Sequence, residues 1–171
     1  MTFIGVPKPA HVDITGTVFK LYADRYRAAA RVCLRHARKR QQFDPVPYQL
    51  LCQSIELHLK SFVWLVDRTG WDGIRKKYKH DLVKLWLDSK AKGMHRYVRM
   101  TPLRDSIIDL VGPYYRERKF TYLDLDMIVG PDGISPSGLD RLRKEPRALP
   151  VLSRLAGALS TALHRPILAA P

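Results

Sequence analysis

Residues 48–70, YQLLCQSIELHLKSFVWLVDRTG, contain the strongest helix signal in the chain. Apolar and small residues recur along one face at spacings of three and four: Leu50, Leu51, Ser54, Ile55, His58, Leu59, Phe62, Val63 and Val66. Leu57 and Trp64 add apolar surface on another side. A helix that is apolar on more than one side must be buried, so this segment predicts the central helix of an α-helical bundle.

Further helix signals flank this segment and complete the predicted bundle. From apolar residues at helical spacing, helices are predicted over residues 17–43, 81–94, 101–118 and 150–165. Asp81 and Thr101 are expected to cap two of them, and Gly93 is a candidate stop. The intervening DGIRKKYK, residues 72–79, is expected to be a link between helices.

The helix predicted over residues 17–43 is rich in arginine, and its apolar residues indicate which side is buried. The expected buried stripe consists of Val18, Leu21, Tyr22, Ala29, Val32, Cys33 and His36. The arginines would then lie on the solvent side. The DPVP at 44–47 is expected to end this helix, because a proline cannot donate to the helical hydrogen bonds.

Residues 119–130, KFTYLDLDMIVG, change from a helical to an alternating pattern. This alternation favours a short strand or an extended segment, and the GPDG at 130–133 is typical of a turn. Together the signals predict an all-α fold in a single domain over residues 1–171. We expect an up-and-down bundle of four to five helices, with a short extended segment near 120–129 and a proline-rich lead over 1–15.

Basic residues dominate the charge of the chain. It has 30 Lys and Arg against 16 Asp and Glu, a formal net charge of +14 and a pI near 10.1. The clusters lie at 25–40, 75–79, 90–99 and 116–119. This excess predicts affinity for a polyanion such as RNA or a nucleotide. The alternatives are solvated faces that keep the protein soluble, and an acidic protein partner.

Several functional classes are not expected from this composition. No apolar run approaches the roughly 18 residues that span a bilayer, so no membrane association is expected. The first residues lack the pattern of a signal peptide, which favours a cytoplasmic location. Cys33 and Cys52 have no Cys-x-x-Cys spacing and are expected to be buried thiols rather than a disulfide or a zinc site. Neither a metal nor a cofactor is expected.

Two motifs resemble the HEPN superfamily of small all-helical domains. The matching residues are Glu56, Leu59 and Lys60 for an E-x-x-L-K pattern on a central helix, and His80, Asp81 and Leu82 for a later helix that opens on H-D-L. The resemblance covers residues 17–116. It implies an up-and-down bundle, in agreement with the periodicity, and also a homodimer.

Many members of that superfamily are metal-independent ribonucleases marked by an Arg, four to six residues, and a His. Arg75 and His80 match this signature with four residues between them. The resemblance implies that His80 acts as general base or acid on the ribose 2′-hydroxyl and that Arg75 steadies the charge on the scissile phosphate, at a cleft where two protomers meet. This chemistry suits an imidazole, which ionises near neutrality, and a guanidinium, which donates two hydrogen bonds to a phosphate. The predicted RNA phosphate contacts are Lys76, Lys77, Lys79, Arg116, Arg118 and Lys119.

Helix geometry sets a condition on this site. Five residues of regular helix rotate by about 500°, roughly 140° past the starting face. Arg75 and His80 therefore converge only if the segment between them is not regular helix. The alternatives for His80 are a structural hydrogen bond at the start of a helix and a noncatalytic ligand contact.

Several other polar residues each have two interpretations. Asp124 and Asp126 fit either a Mg²⁺ site or a solvated strand face. His58 lies on the apolar face of the central helix and is expected to be a core histidine rather than a ligand. Tyr114 and Tyr115 fit either base stacking or burial in the bundle.

Overall fold

The computed structural model describes residues 15–40, 43–121, 129–130, 133–134 and 139–164. In this part of the chain the helices are α1 (Gly16–Arg40), α2 (Val46–Asp67), α3 (Trp71–Tyr78), α4 (Leu82–Ala91), α5 (Pro102–Arg116), α6 (Asp140–Arg143) and α7 (Ala148–Ala162). A 3₁₀ turn, Met94–Arg96, follows α4. The predicted all-α bundle is confirmed.

Helix α2 forms the centre of the bundle, as its apolar surface predicts. Leu51, Ile55, Leu59 and Phe62 are fully buried. The helix packs against α1, α4, α5 and α7, so it is enclosed on several sides. Burying a large apolar side chain stabilises a fold by about 1.5–3 kcal/mol, so these four side chains of α2 contribute substantially to the stability of the core.

The predicted buried stripe of α1 is wrong over most of its length. The core side consists of Phe19, Ala23 and Ala30, whereas Leu21 and Val32 are 51% and 45% exposed. Apolar residues occur on both sides of α1, so periodicity alone does not decide which side is buried. The side with Ala23 and Ala30 carries the smaller side chains, and this allows α1 to pack closely along α2.

The prediction that DGIRKKYK is a link between helices is also wrong, because most of this segment belongs to helix α3. Ile74 and Tyr78, four residues apart, are buried and hold α3 on the core. The helix ends at Tyr78, and Lys79 has a positive φ of 47°. His80 therefore lies in a turn, outside the helical rotation that begins at Arg75.

The predicted ends of α4 and α5 agree with the structure. The Asp81 carboxylate accepts a hydrogen bond from the Lys84 backbone N–H at 2.9 Å, and the Thr101 hydroxyl accepts one from the Arg104 N–H at 3.3 Å. Gly93, just after α4, has a φ of 91°. Helix α5 continues through Pro113 to Arg116.

The predicted extended segment lies largely outside the described residues. Phe120 and Thr121 are in turns, and residues 122–128, which include Asp124 and Asp126, are not described. Val129–Gly130 (β1) and Gly133–Ile134 (β2) pair as antiparallel strands. This pairing is consistent with the turn predicted at GPDG.

The described helices include none that is both long and apolar enough to cross a membrane. Cys33 is partly buried and Cys52 is buried, and both are free thiols. Burial raises the pKa of the Cys52 thiol. The predicted burial is therefore confirmed for Cys52, whereas Cys33 is only partly buried.

Candidate nucleic-acid interface

A row of polar residues runs along one side of helix α2. It consists of Gln49, Gln53, Glu56 and Lys60, at spacings of four, three and four residues. Glu56 and Lys60 are 1% and 3% exposed and form a buried ion pair. A buried ion pair is costly to desolvate, so its further contacts indicate what it holds in place.

The Glu56–Lys60 pair positions His80. The Nδ1 atom of His80 lies 3.2 Å from Oε2 of Glu56, and the Lys60 ammonium donates to the Lys79 carbonyl oxygen at 2.9 Å. The Tyr115 hydroxyl also contacts Glu56 and lies 2.7 Å from Oε1 of Gln53. One helix therefore fixes both the His80 ring and the turn that carries it.

These contacts keep Glu56 ionised. Burial by itself would raise the pKa of this carboxyl, but hydrogen bonds from His80, Lys60 and Tyr115 lower it below its usual range. A carboxylate at Nδ1 favours a proton on that nitrogen. The Nε2 atom has no hydrogen-bond partner within the described chain, and the His80 side chain is 47% exposed. This arrangement orients an imidazole for proton transfer at Nε2.

His80 lines a basic cleft of about 490 Å³. The other lining residues are Lys76, Lys77, Tyr78, Lys79, Asp81, Lys84, Arg116 and Arg118. Asp81 is the one carboxylate among them, and it lies 3.6 Å from the Arg116 guanidinium. The end of α3, the turn that follows it, the first turn of α4 and the end of α5 with the turn after it thus bring six lysines and arginines together around one histidine.

Strained backbone flanks the cleft on both sides. Lys79 and Arg118 have φ values of 47° and 59°, a backbone conformation that residues other than glycine seldom adopt. A backbone hydrogen bond holds each residue. The Lys79 N–H donates to the Arg75 carbonyl oxygen at 2.9 Å, and the Arg118 N–H donates to the Tyr115 carbonyl oxygen at 3.1 Å. Such strain concentrates at functional sites, where the surrounding structure supports it.

Five of the predicted RNA contacts line this cleft, and two other predicted residues do not. The Arg75 guanidinium lies on the exposed side of α3, 3.4 Å from the Asp72 carboxylate. Lys119 lies 3.0 Å from Glu117. The cleft therefore places Arg116 and Arg118, rather than Arg75, beside His80.

No family model, curated protein or solved structure matches the chain. A function can therefore be assigned only from the geometry of the site.

A second polar cluster involves His58, which is a core histidine as expected. Its Nδ1 lies 2.9 Å from the Ser54 carbonyl oxygen, and its Nε2 lies 3.2 Å from Asp24. Burial would raise the pKa of Asp24, but hydrogen bonds from His58, Lys20 and Ser160 hold it well below the usual range. With its contacts to α2 and α7, Asp24 fixes the side of α1 that faces the core.

Burial is also confirmed for Tyr115, which is 2% exposed. The partly buried Tyr114 packs on Phe120, with ring centroids 6.1 Å apart. Within the described ranges no group of three or more His, Cys, Asp and Glu side chains is placed to bind a metal ion.

Sequence reasoning missed Lys84, Gln49 and Gln53. Lys84 is four residues after His80, which places it at the same end of α4. The two glutamines precede Glu56 at helical spacing on a buried helix. That polar row was the available signal, since polar side chains on a buried helix need partners.

Proposed function

We propose that the chain binds RNA through the basic cleft and cleaves it by acid–base catalysis at His80. The observation that supports this best is a single cleft in which an oriented histidine lies among six lysines and arginines. A charged cleft of this kind suits the backbone of a single-stranded nucleic acid, which presents a phosphate at every nucleotide. The buried Glu56 contact explains why this particular histidine is held in place.

In the proposed reaction the Nε2 atom of His80 takes the proton of a ribose 2′-hydroxyl. The 2′-oxygen then bonds to the adjacent phosphorus, the bond from phosphorus to the 5′-oxygen breaks, and that oxygen takes a proton from water. The His80 imidazolium releases its proton to the hydroxide left by that water, which restores the neutral ring. The products are a 2′,3′-cyclic phosphate and a 5′-hydroxyl. Glu56 orients the ring, and it stabilises the imidazolium that forms.

Arg116 and Arg118 supply the positive charge for the scissile phosphate in this scheme. Both line the cleft with His80. Donors already in place where negative charge develops are among the largest contributions to catalysis. The role predicted for Arg75 stays a prediction, and a homodimer is the arrangement in which Arg75 of a second protomer would reach the site.

The test is cleavage of an end-labelled RNA in EDTA by the wild type and by His80→Asn. Asparagine keeps an amide that can donate to Glu56 but has no imidazole, so the fold is expected to persist, as circular dichroism would show. General acid–base catalysis is typically worth about 10²–10⁴-fold, so we expect a loss of that size in the rate. Arg75→Ala tests the signature arginine in the same assay.

Arg154→Ala provides the matched control, because Arg154 is an exposed arginine outside the cleft. Its cleavage rate should equal that of the wild type, and wild-type products should end in a 2′,3′-cyclic phosphate. If His80→Asn cleaves as fast as the wild type, the catalytic part of the proposal is wrong. If no protein cleaves but all bind RNA, the chain is a binding protein only.

A second candidate function is that of a noncatalytic interaction domain, and the outer side of α1 favours it. Leu21, Arg25, Ala28, Val32 and Arg35 recur there at spacings of four and three residues, and all are exposed. Asp24 is the only acidic residue of α1, and it contacts the core. Two copies of this face would bring arginines together, so the face suits an acidic protein partner better than a homodimer.

RNA competition separates the two candidates. An acidic helical peptide with leucine at heptad spacing should bind the wild type and should bind Val32→Glu more weakly. If RNA displaces this peptide completely, both use one surface and α1 offers no separate site. If RNA and peptide bind together, α1 is an independent interface. Light scattering at several protein concentrations would show whether the chain dimerises.

A further inference from the structure

A second, smaller pocket adjoins the basic cleft. It has a volume of about 220 Å³ and is lined by Gln49, Gln53, His80, Tyr115, Arg118 and Thr121. His80 and Arg118 line both this pocket and the cleft. A ligand that extends from one to the other must therefore pass His80.

The two spaces differ in chemistry. The cleft is lined mainly by cations, whereas the described residues of the pocket include two carboxamides, a threonine hydroxyl and a single lysine or arginine, Arg118. Cations suit phosphates, and carboxamides suit the hydrogen-bonding edge of a nucleobase. A guanidinium also provides a flat surface on which a base can stack.

One side chain that lines the pocket has a polar atom without a partner. The Oε1 atom of Gln49 is buried and accepts no hydrogen bond from the described part of the chain. Buried polar atoms in folded proteins are almost always hydrogen-bonded, so a carboxamide that makes no such bond gains one by turning toward a ligand that donates to it. The backbone N–H of Gln49 donates to Pro45 in the first turn of α2, which keeps this residue in place.

We propose that this pocket binds one adenine base of the RNA whose backbone lies in the cleft. This inference rests on the function proposed above. Adenine presents an amino group beside a ring nitrogen, which match the acceptor and the donor of the Gln49 carboxamide. A base in the pocket and its phosphate in the cleft place the ribose of that nucleotide at His80, where the 2′-hydroxyl would react.

The test compares three labelled oligomers of eight units by fluorescence anisotropy: deoxyadenosine, thymidine and an abasic deoxyribose chain. They share the same backbone charge, and none has a 2′-hydroxyl, so none can be cleaved. Wild type should bind the adenine oligomer at least about fivefold more tightly than the other two, the lower end of what one bidentate base contact provides. Gln49→Leu should remove that preference and leave the affinity for the abasic oligomer unchanged.

Thr161→Val, in a separate cavity lined by residues of α1 and α7, serves as the control and should behave as wild type. Equal binding of all three oligomers by wild type would overturn the adenine pocket while leaving backbone binding in the cleft intact. An unaltered preference in Gln49→Leu would also overturn it. If none of the oligomers binds, the proposed function itself fails, and the pocket assignment fails with it.

Discussion

Glu56 is the residue on which most of the proposed site depends. It is 1% exposed and contacts Lys60, His80 and Tyr115, which come from α2, the turn before α4, and α5. The sequence indicates only the local pairing with Lys60, because the other two partners are distant in the chain. A single buried carboxylate thus joins the core to the cleft.

Glu56→Gln should destabilise the protein strongly. The change leaves the Lys60 ammonium buried without a counterion, which costs on the order of 3 kcal/mol. Urea denaturation of the variant and the wild type would measure this difference in the free energy of unfolding. A loss below about 1 kcal/mol, the size expected for an exposed pair, would show that Glu56 is not the buried anchor described above.

Stability should also decrease in acid. The pKa values of Glu56 and Asp24 are lower in the folded protein than in the unfolded chain, so the unfolded chain binds more protons as the pH falls. The stability from these carboxylates is fully present above about pH 4–5, where unfolded carboxyls ionise, and it is lost as the pH falls through the folded pKa values. Denaturation at pH 7, 5 and 3.5 would measure this loss.

The Asp24→Asn variant should be compared with the wild type in denaturation experiments at the same three pH values. Asparagine has no titratable group, so the stability of this variant should depend less steeply on pH than that of the wild type below pH 5. Parallel pH profiles for the two proteins would contradict the role assigned to Asp24.

Among the helices, α1 is the one whose buried side the sequence pattern does not predict. Its apolar residues occur on two sides, and the choice between them depends on packing against α2 and on the polar contacts of Asp24 with His58 and Ser160. Neither is visible in the periodicity of α1 alone. By contrast, α2 is apolar on several sides and has only one possible location, which is why its place was predicted correctly.

A pair of neighbouring alanines tests the side of α1 that is buried. Ala30 is fully buried and Ala29 is exposed. Ala30→Leu should destabilise the fold by about 1–3 kcal/mol through overpacking. Ala29→Leu, the same change one residue away, should stay within about 0.5 kcal/mol of the wild type. Thermal denaturation measures the loss of stability in each variant. If Ala29→Leu is the more destabilising change, the buried stripe predicted from the sequence is correct after all.

The contact between α4 and α5 depends on a glycine. A Cβ atom at Gly112 would collide with the Val83 side chain, which is β-branched and cannot easily move aside. Gly112→Ala should therefore destabilise the fold by at least about 1 kcal/mol, although alanine is the better helix former. Adding Val83→Ala should reverse most of this loss. If the single variant is more stable than the wild type, the two helices do not pack this closely.

Part of the proposed site was also visible in the sequence. His80 and most of the cleft cations were identified because their types and clustering are visible in the chain. Gln49 and Lys84 were missed because their role depends on which ends of α2 and α4 meet. Arg75 was chosen by its spacing from His80, but α3 is a regular helix that directs it toward Asp72.

At the scale of the whole molecule, the net charge of +14 alone does not identify a binding site. Basic residues cover several faces, and non-specific attraction to polyanions is expected from any of them. The proposed function is narrower, since it places RNA in the cleft around His80. A decisive test must therefore change the position of the charge while keeping its amount constant.

Two charge-matched double variants meet that requirement. Arg116→Glu with Arg118→Glu alters the cleft, whereas Arg99→Glu with Arg154→Glu alters a region near Arg104 in the first turn of α5. The two ends of α5 are roughly 20 Å apart, from its 15 residues. Each double variant removes four units of positive charge, since two arginines become two glutamates.

The most direct measurement is the dissociation constant of a short labelled RNA for these two variants and the wild type, in EDTA at physiological salt. We expect the cleft variant to bind at least about tenfold more weakly than the distant variant, because only the cleft charges contact phosphate in the proposed complex. Equal losses in the two variants would mean that RNA binds through overall charge, and they would contradict the assignment of the cleft.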